Sequence, residues 1–290
     1  MFTNLKKGLL VIGAIATFAL ASCGGSKTLG IVHFDQTILG LEEKDLGVSI
    51  GIKKGDEETR TEINTALETI TKSTRDTLMI EAVERSAKTI TSEGISQAPY
   101  DKTKKDLVVG LECNYAPFNW TEIKANEYTY PIDGKSNEFA DGYDVQLSIL
   151  LAKAMDYNLI IKKMEWDALI PALQTGEINT VIAGMTDTEE RRKSIDFTNP
   201  YYVSELVLIV DANGPLANST SLEDFRGKKI VSQIETVTND VIDTWVTQFG
   251  VIHMNPLQDF ATCALSVSTG EADAMTAEYP VAQAIVKGNN

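Results

Sequence analysis

Histidine is nearly absent from this chain. There are two in 290 residues, with only three cysteines. His33 and His253 stand alone, and no Cys or His cluster has metal-ligand spacing, so neither a zinc site nor another metal is expected. Cys23, Cys113 and Cys263 are too few and too scattered for a disulfide framework, although Cys113 and Cys263 could pair in an exported chain. A phosphate-cradling P-loop and a G-x-S-x-G nucleophile turn are missing as well, and no cofactor is expected. Basic residues are scarce: 26 Lys and Arg face 41 Asp and Glu, a formal net charge of −15. That balance argues against nucleic acid, which needs clustered cations, and it weakly suits a cationic ligand. Apolar runs of spanning length are also lacking; the longest, Gly8 to Ala21, falls short of the roughly 20 residues a membrane helix needs.

That short run carries the first positive signal. Lys6 and Lys7 precede it, and Leu20-Ala21-Ser22-Cys23 follows, so residues 1–22 read as a secretory signal peptide. Small residues before a cysteine resemble the bacterial lipoprotein signal, which implies diacylation of Cys23 and an extracytoplasmic protein anchored to the cell membrane. Two acyl chains anchor stably where one binds marginally. Residues 23–27 form a flexible tether.

Beyond the tether, Leu29 to Phe34 and Leu46 to Ile52 read as strands. Asp56 caps a helix with apolar positions Ile63, Leu67 and Ile70, and a second helix covers Thr74 to Ser86. Residues 89–104 turn polar and aperiodic, the pattern of a linker. Strand and helix patterns then alternate: strands at Leu107–Leu111, Leu159–Lys162, Thr180–Ala183, Leu206–Val210, Lys229–Ser232 and Ala272–Thr276, with helices between. The fold class is therefore α/β, with largely parallel sheets.

Five blocks have a recognisable order: Asn114 to Trp120 (NYAPFNW), Gly142 to Val145 (GYDV), Trp166 to Leu173 (WDALIPAL), Gly184 to Arg191 (GMTDTEER) and Asp196 to Tyr201 (DFTNPY). Together they resemble the polar amino-acid-binding family of ABC-transporter solute receptors. The resemblance implies a two-lobe, type II periplasmic-binding-protein-like fold, with an amino acid held between lobes that close on it and a membrane permease as partner. It also implies a monomer that is not an enzyme. The likeness runs on through Leu222 to Lys229 and Gly270 to Ala274, and breaks off at Asn290 inside the second lobe. Gly30 to Phe34 and Leu46 to Ile70 resemble the family's missing tail. The chain thus reads as circularly permuted within the second lobe: residues 28–36 and 213–290 form lobe 2, 37–45 a hinge, and 46–88 with 105–209 lobe 1. A second hinge is expected near Val210 to Asn213, and residues 89–104 join the family's usual termini.

A free amino acid offers a carboxylate, an ammonium and a side chain. A guanidinium meets a carboxylate through two parallel charge-assisted hydrogen bonds. By resemblance Arg191 takes that role, with Thr186, the Gly184 backbone and Thr236 adding donors. Glu278, where the family commonly carries Asp, takes the ammonium. Tyr115, Trp166 and Phe118 line the side-chain pocket, since aromatic faces hold apolar stems and cations. Glu112 and Asp144 match carboxylates that face the distal charge in lysine- and arginine-binding members. Lysine, arginine or ornithine leads on that basis, followed by glutamine or another polar amino acid. An enzyme on the same fold is the alternative, with Cys113 as its only plausible nucleophile.

Overall fold

The computed structural model describes residues 26–42, 45–87 and 99–290. The leader, Cys23 and most of the 89–104 linker lie outside these residues. In chain order β1 (Leu29–Val32) and β2 (Gly47–Lys53) precede helices α1 (Glu57–Thr69) and α2 (Lys72–Ser86). Then come β3 (Asp106–Leu111), the short strands β4 (Asn114–Tyr115), β5 (Asn119–Glu122), β6 (Tyr130–Pro131) and β7 (Phe139–Asp141), α3 (Tyr143–Met155) and β8 (Asn158–Lys163). Next are α4 (Leu169–Thr175), β9 (Thr180–Val181), α5 (Glu189–Arg192), β10 (Ile195–Val203) and β11 (Leu206–Asp211). The chain closes through β12 (Lys229–Val231), α6 (Val237–Phe249), β13 (Ile252–His253), α7 (Phe260–Thr269), β14 (Ala274–Glu278) and α8 (Tyr279–Asn289).

The helices begin where local chemistry says they should. Asp56, Thr71, Thr236 and Asp259 each accept a backbone N–H from three residues on, filling donors that the first turn leaves open. In α1, Glu57 and Glu58 sit in the first turn, where the helix dipole favours acids. Its inward face is Ile63, Ala66 and Leu67, all buried.

Two mixed sheets result. One has the order β10-β2-β9-β3-β8, the other β1-β11-β14-β12-β13. Each is parallel over three strands and antiparallel where the crossing strands join, so the largely parallel expectation holds for only part of each sheet. A small antiparallel sheet, β4-β5-β7-β6, was hidden in a loop-like stretch because strands of two to four residues leave no periodicity to read. Strand β2 is buried on both faces: Val48, Ile50 and Ile52 fill one side, while Gly47, Ser49 and Gly51 present little bulk on the other. A Cβ at Gly51 would come within 3.3 Å of both Ile195 and Val181, so the small residues there keep the layers in contact.

The chain crosses between the sheets at residues 33–46 and again at Ser204–Glu205. The second crossing was expected near Val210 to Asn213. It lies earlier because Leu206–Asp211 already pairs with β1 and β14, so residues 206–212 belong to the second lobe. The crossings are tied together by one side chain: Gln36 Nε2 donates to the Leu206 carbonyl at 3.0 Å, and Gln36 Oε1 accepts from Leu206 N–H at 2.9 Å. Ser204 N–H also donates to the Leu46 carbonyl at 3.1 Å.

Helix α2 fastens the first lobe from outside. Arg85 in its last turn pairs with Asp141 of β7, Nη2 to Oδ1 at 2.9 Å and Nε to Oδ2 at 3.3 Å, with both residues buried. Its guanidinium also lies 4.2 Å from the Tyr128 ring centroid. Replacing one member of a buried pair strands the other charge, at a cost of about 3–5 kcal/mol. Arg85→Ala should lose that much in urea unfolding; a loss below about 1 kcal/mol, the worth of a surface pair, would show that the contact does not anchor α2.

Candidate functional site

Eight of the ten residues singled out above line one cavity between the lobes: Glu112, Tyr115, Trp166, Gly184, Thr186, Arg191, Thr236 and Glu278. Gln233, Val237 and Phe260 complete it. The residues come from both lobes. Glu112 and Tyr115 follow β3, Gly184 and Thr186 follow β9, and Arg191 sits in α5; Gln233 to Val237 open α6, and Glu278 ends β14. Edge and end positions of rigid strands and helices thus carry every polar group of the cavity.

Arg191 spans the two lobes. Its Nη1 donates to the Thr186 carbonyl at 2.7 Å and its Nη2 to the Glu235 carbonyl of the other lobe at 2.8 Å. Trp166 covers the guanidinium, 5.2 Å from ring to carbon, and its own Nε1 donates to the same Glu235 carbonyl at 3.3 Å. Burial pushes the Arg191 guanidinium down to about 10, opposed by Asp240, Glu235 and Glu278. It remains a cation at any ordinary pH. Glu235 holds φ at +59°, a left-handed conformation rare for a side-chain-bearing residue, and this turn aims its carbonyl at both donors.

The carboxylates behave differently. Burial raises the Glu278 acid, while the Tyr115 hydroxyl and Arg191 hold it down, and one of its oxygens, Oε2, has no hydrogen-bond partner among the described residues. Burial raises Glu112 to about 7 from 4.5, with Gln233 opposing the rise. Its Oε1 accepts from Gln233 Nε2 at 3.0 Å, and its Oε2 is also without a partner among the described residues. One fixed cation and two carboxyl groups with unpartnered oxygens are the groups that complement a zwitterion carrying a further donor or positive charge; the space between them is about 10 Å³ with the lobes closed, so a ligand of that size enters only when they part.

Three expectations are corrected. Asp144 does not reach the cavity: its Oδ2 accepts from Asn119 Nδ2 at 2.9 Å and its Oδ1 from the Tyr201 hydroxyl at 2.8 Å, all three fully buried within the first lobe. It organises the start of α3 instead of facing a ligand. Phe118 lies behind Tyr115, stacked on it at 5.0 Å, while Phe260 covers Tyr115's other face at 5.0 Å. With both faces covered, only the edge and hydroxyl of Tyr115 remain for the cavity. Gly184 lines it without donating, because its N–H goes to the Tyr201 hydroxyl at 2.8 Å. Its role is room, since a Cβ there would stand 2.6 Å from the Tyr115 ring.

Gln233 and Phe260 escaped sequence reasoning as cavity residues. Gln233 directly follows the strand pattern Lys229–Ser232, but nothing in sequence shows that its amide turns towards Glu112. Phe260 reads as the first core residue of a helix. Burial drives the Cys113 thiol up to about 12, which disfavours its thiolate, and the two histidines face other groups: His253 bonds to Asp243 and Asn239, and His33 lies 3.6 Å from Glu205. Cys113 and Cys263 are both free and buried.

Residues 107–278 match the family of bacterial extracellular solute-binding proteins, family 3, and the chain belongs to that family. Among its relatives, the arginine-binding extracellular protein ArtP of Bacillus subtilis is 26% identical over 203 residues, covering 69% of this chain and 72% of that one. A probable histidine-binding protein of Campylobacter jejuni is 29% identical over 190 residues, covering 64% and 65%. A solved ancestral arginine-binding protein bound to arginine is 32% identical at a TM-score of 0.54, covering 64% of this chain and 75% of its own. The two-lobe type II fold of periplasmic binding proteins is thereby established for this chain. No helix among the described residues is long and apolar enough to cross a membrane.

The raised pKa of Glu112 has a defined sign for stability. The folded state keeps a proton that the unfolded chain sheds above 4.5, so the stabilisation is complete below that value and is lost as pH rises through about 7. Glu112→Gln, which cannot ionise, should therefore melt progressively higher than the parent as pH rises across this window, with little difference at its acid end. Thermal melts of both proteins without ligand check this, and a pH-independent difference would contradict it.

Proposed function

We propose that this protein captures a free amino acid with a cationic side chain in the cleft between its lobes and hands it to an ABC-transporter permease. One observation carries the reading: a single cavity holds the Arg191 guanidinium together with the carboxylates of Glu278 and Glu112, each carboxylate with an oxygen left unpartnered among the described residues. Arg191 takes the ligand carboxylate, Glu278 its ammonium, and Glu112 the distal charge. Thr186 and Thr236 shape the carboxylate end, and Trp166 covers it. Lysine, arginine or ornithine fits this set; glutamine comes next, through the same groups and without the distal charge. Relatives with arginine- and histidine-binding names support a cationic side chain.

The rest of the chain is read with it. Cys23 anchors the protein by lipid outside the cell, and the chain acts as a monomer without cofactor, releasing its ligand unchanged. The permuted order is supported by β1 lying beside β11 in the second lobe, while β2 lies between β10 and β9 in the first. Removing residues 28–88 should then leave a chain that does not fold, because both sheets lose a strand and the first lobe loses α1 and α2. Normal folding and binding after that deletion would refute the permuted order.

Isothermal calorimetry across the common amino acids tests the ligand class. Basic amino acids should bind most tightly, and Arg191→Ala should weaken them by about 2–5 kcal/mol, at least thirtyfold. A preference for a neutral or acidic amino acid would overturn the cationic assignment, and consumption of the bound amino acid would overturn the receptor reading.

A further inference from the structure

Glu112 and Gln233 meet from opposite lobes, and their contact is asymmetric. Gln233 Nε2 donates to Glu112 Oε1 at 3.0 Å and to the Gln258 carbonyl at 2.9 Å, which uses both hydrogens of the amide nitrogen. Glu112 Oε2 has no partner among the described residues, although Glu112 is only 6% exposed. Such an oxygen must either receive a donor from whatever fills the cavity or carry a proton of its own. These two states ask for different ligands. A carboxylate recruits a cation, whereas a carboxylic acid offers its O–H to a carbonyl.

Resting on the amino-acid reading of the cleft, we propose that Glu112 and Gln233 form a proton-operated selector for the ligand's side chain: ionised Glu112 takes a cationic terminus, and protonated Glu112 takes a neutral amide. The only bond that changes is the O–H of Glu112, and its proton is exchanged with solvent. Burial does most to place this titration near neutrality, at about 7; repulsion from Asp259 at the head of α7 and from Glu165 before Trp166 adds to it, and Gln233 opposes it. Cys113, Tyr115 and Arg191 do not compete for the proton in that range. Cys113 stays a thiol, and Tyr115 stays protonated because burial and the neighbouring carboxylates raise it. Arg191 stays charged; Glu278, whose carboxyl burial also raises, bonds on the Tyr115 and Arg191 side of the cavity, so its titration is told apart from that of Glu112 by the Glu112→Gln variant below. Gln233 acts as a positioning residue. It orients one oxygen, favours the ionised form, and couples both to lobe closure, because its partner lies on the other lobe.

Calorimetry with arginine, lysine and glutamine on the intact protein, at about pH 6 and about pH 8, tests the selector. The ratio of basic-ligand affinity to glutamine affinity should rise about a hundredfold across that span, following the ratio of ionised to protonated Glu112 for a group near 7: basic ligands gain about tenfold and glutamine loses about tenfold. Basic ligands should release a proton on binding at the acid end, seen as a heat that varies with buffer. Glu112→Gln should still bind glutamine, and its affinity ratio should no longer move with pH. Gln233→Leu should shift the midpoint upward. A ratio constant within about twofold in the parent protein, or an unchanged pH dependence in Glu112→Gln, would overturn the selector. Failure of all three amino acids to bind at either pH would instead overturn the amino-acid reading beneath it.

Discussion

The chemistry of the cleft depends on desolvation that only two apposed lobes can provide. Arg191 and Glu112 come from one lobe and Glu278 from the other. Brought together, they lose water, and burial becomes the leading cause of every shift they show. Charges in such a setting attract an opposite charge far more strongly than they would in water. The buried, unpartnered oxygens of Glu112 and Glu278 also cost free energy until something fills them. Affinity and closure are therefore two views of one event.

That dependence explains the division of labour among the aromatics. Phe118, Tyr115 and Phe260 stack in one column that runs from the first lobe into the second. The column seals one wall of the cavity with apolar surface and leaves a single phenol hydroxyl turned towards Glu278. Trp166 caps the guanidinium on another side. Water is kept away by rings, and polarity is confined to a few convergent atoms, the usual composition of a small-molecule site.

Much of the fold was legible because its elements announce themselves locally. Asp56 marks a helix start in plain sequence, and the apolar runs at Leu107, Leu206 and Ala274 are short, β-rich and bounded by turns. The small sheet around Asn119 and the second crossing were not legible. The first is built from strands too short for a period, and the second is set by pairing partners far away in sequence. At the site, Arg191 and Glu112 could be read from their motifs. Asp144 misled because a buried carboxylate serving Asn119 and Tyr201 has the same sequence signature as one facing a ligand. Gln233 was invisible because the contact that matters joins positions 121 residues apart.

The Gln36 amide has a mechanical consequence. By gripping Leu206 with both its oxygen and its nitrogen, it welds two separate strands of chain into one pivot. Two independent tethers would let the lobes slide or twist past each other, spreading the open state over many poses. Joined in this way, with Ser204 also bonded to Leu46, the two crossings would have to turn together, and concerted turning favours the return of Gln233 to its place opposite Glu112.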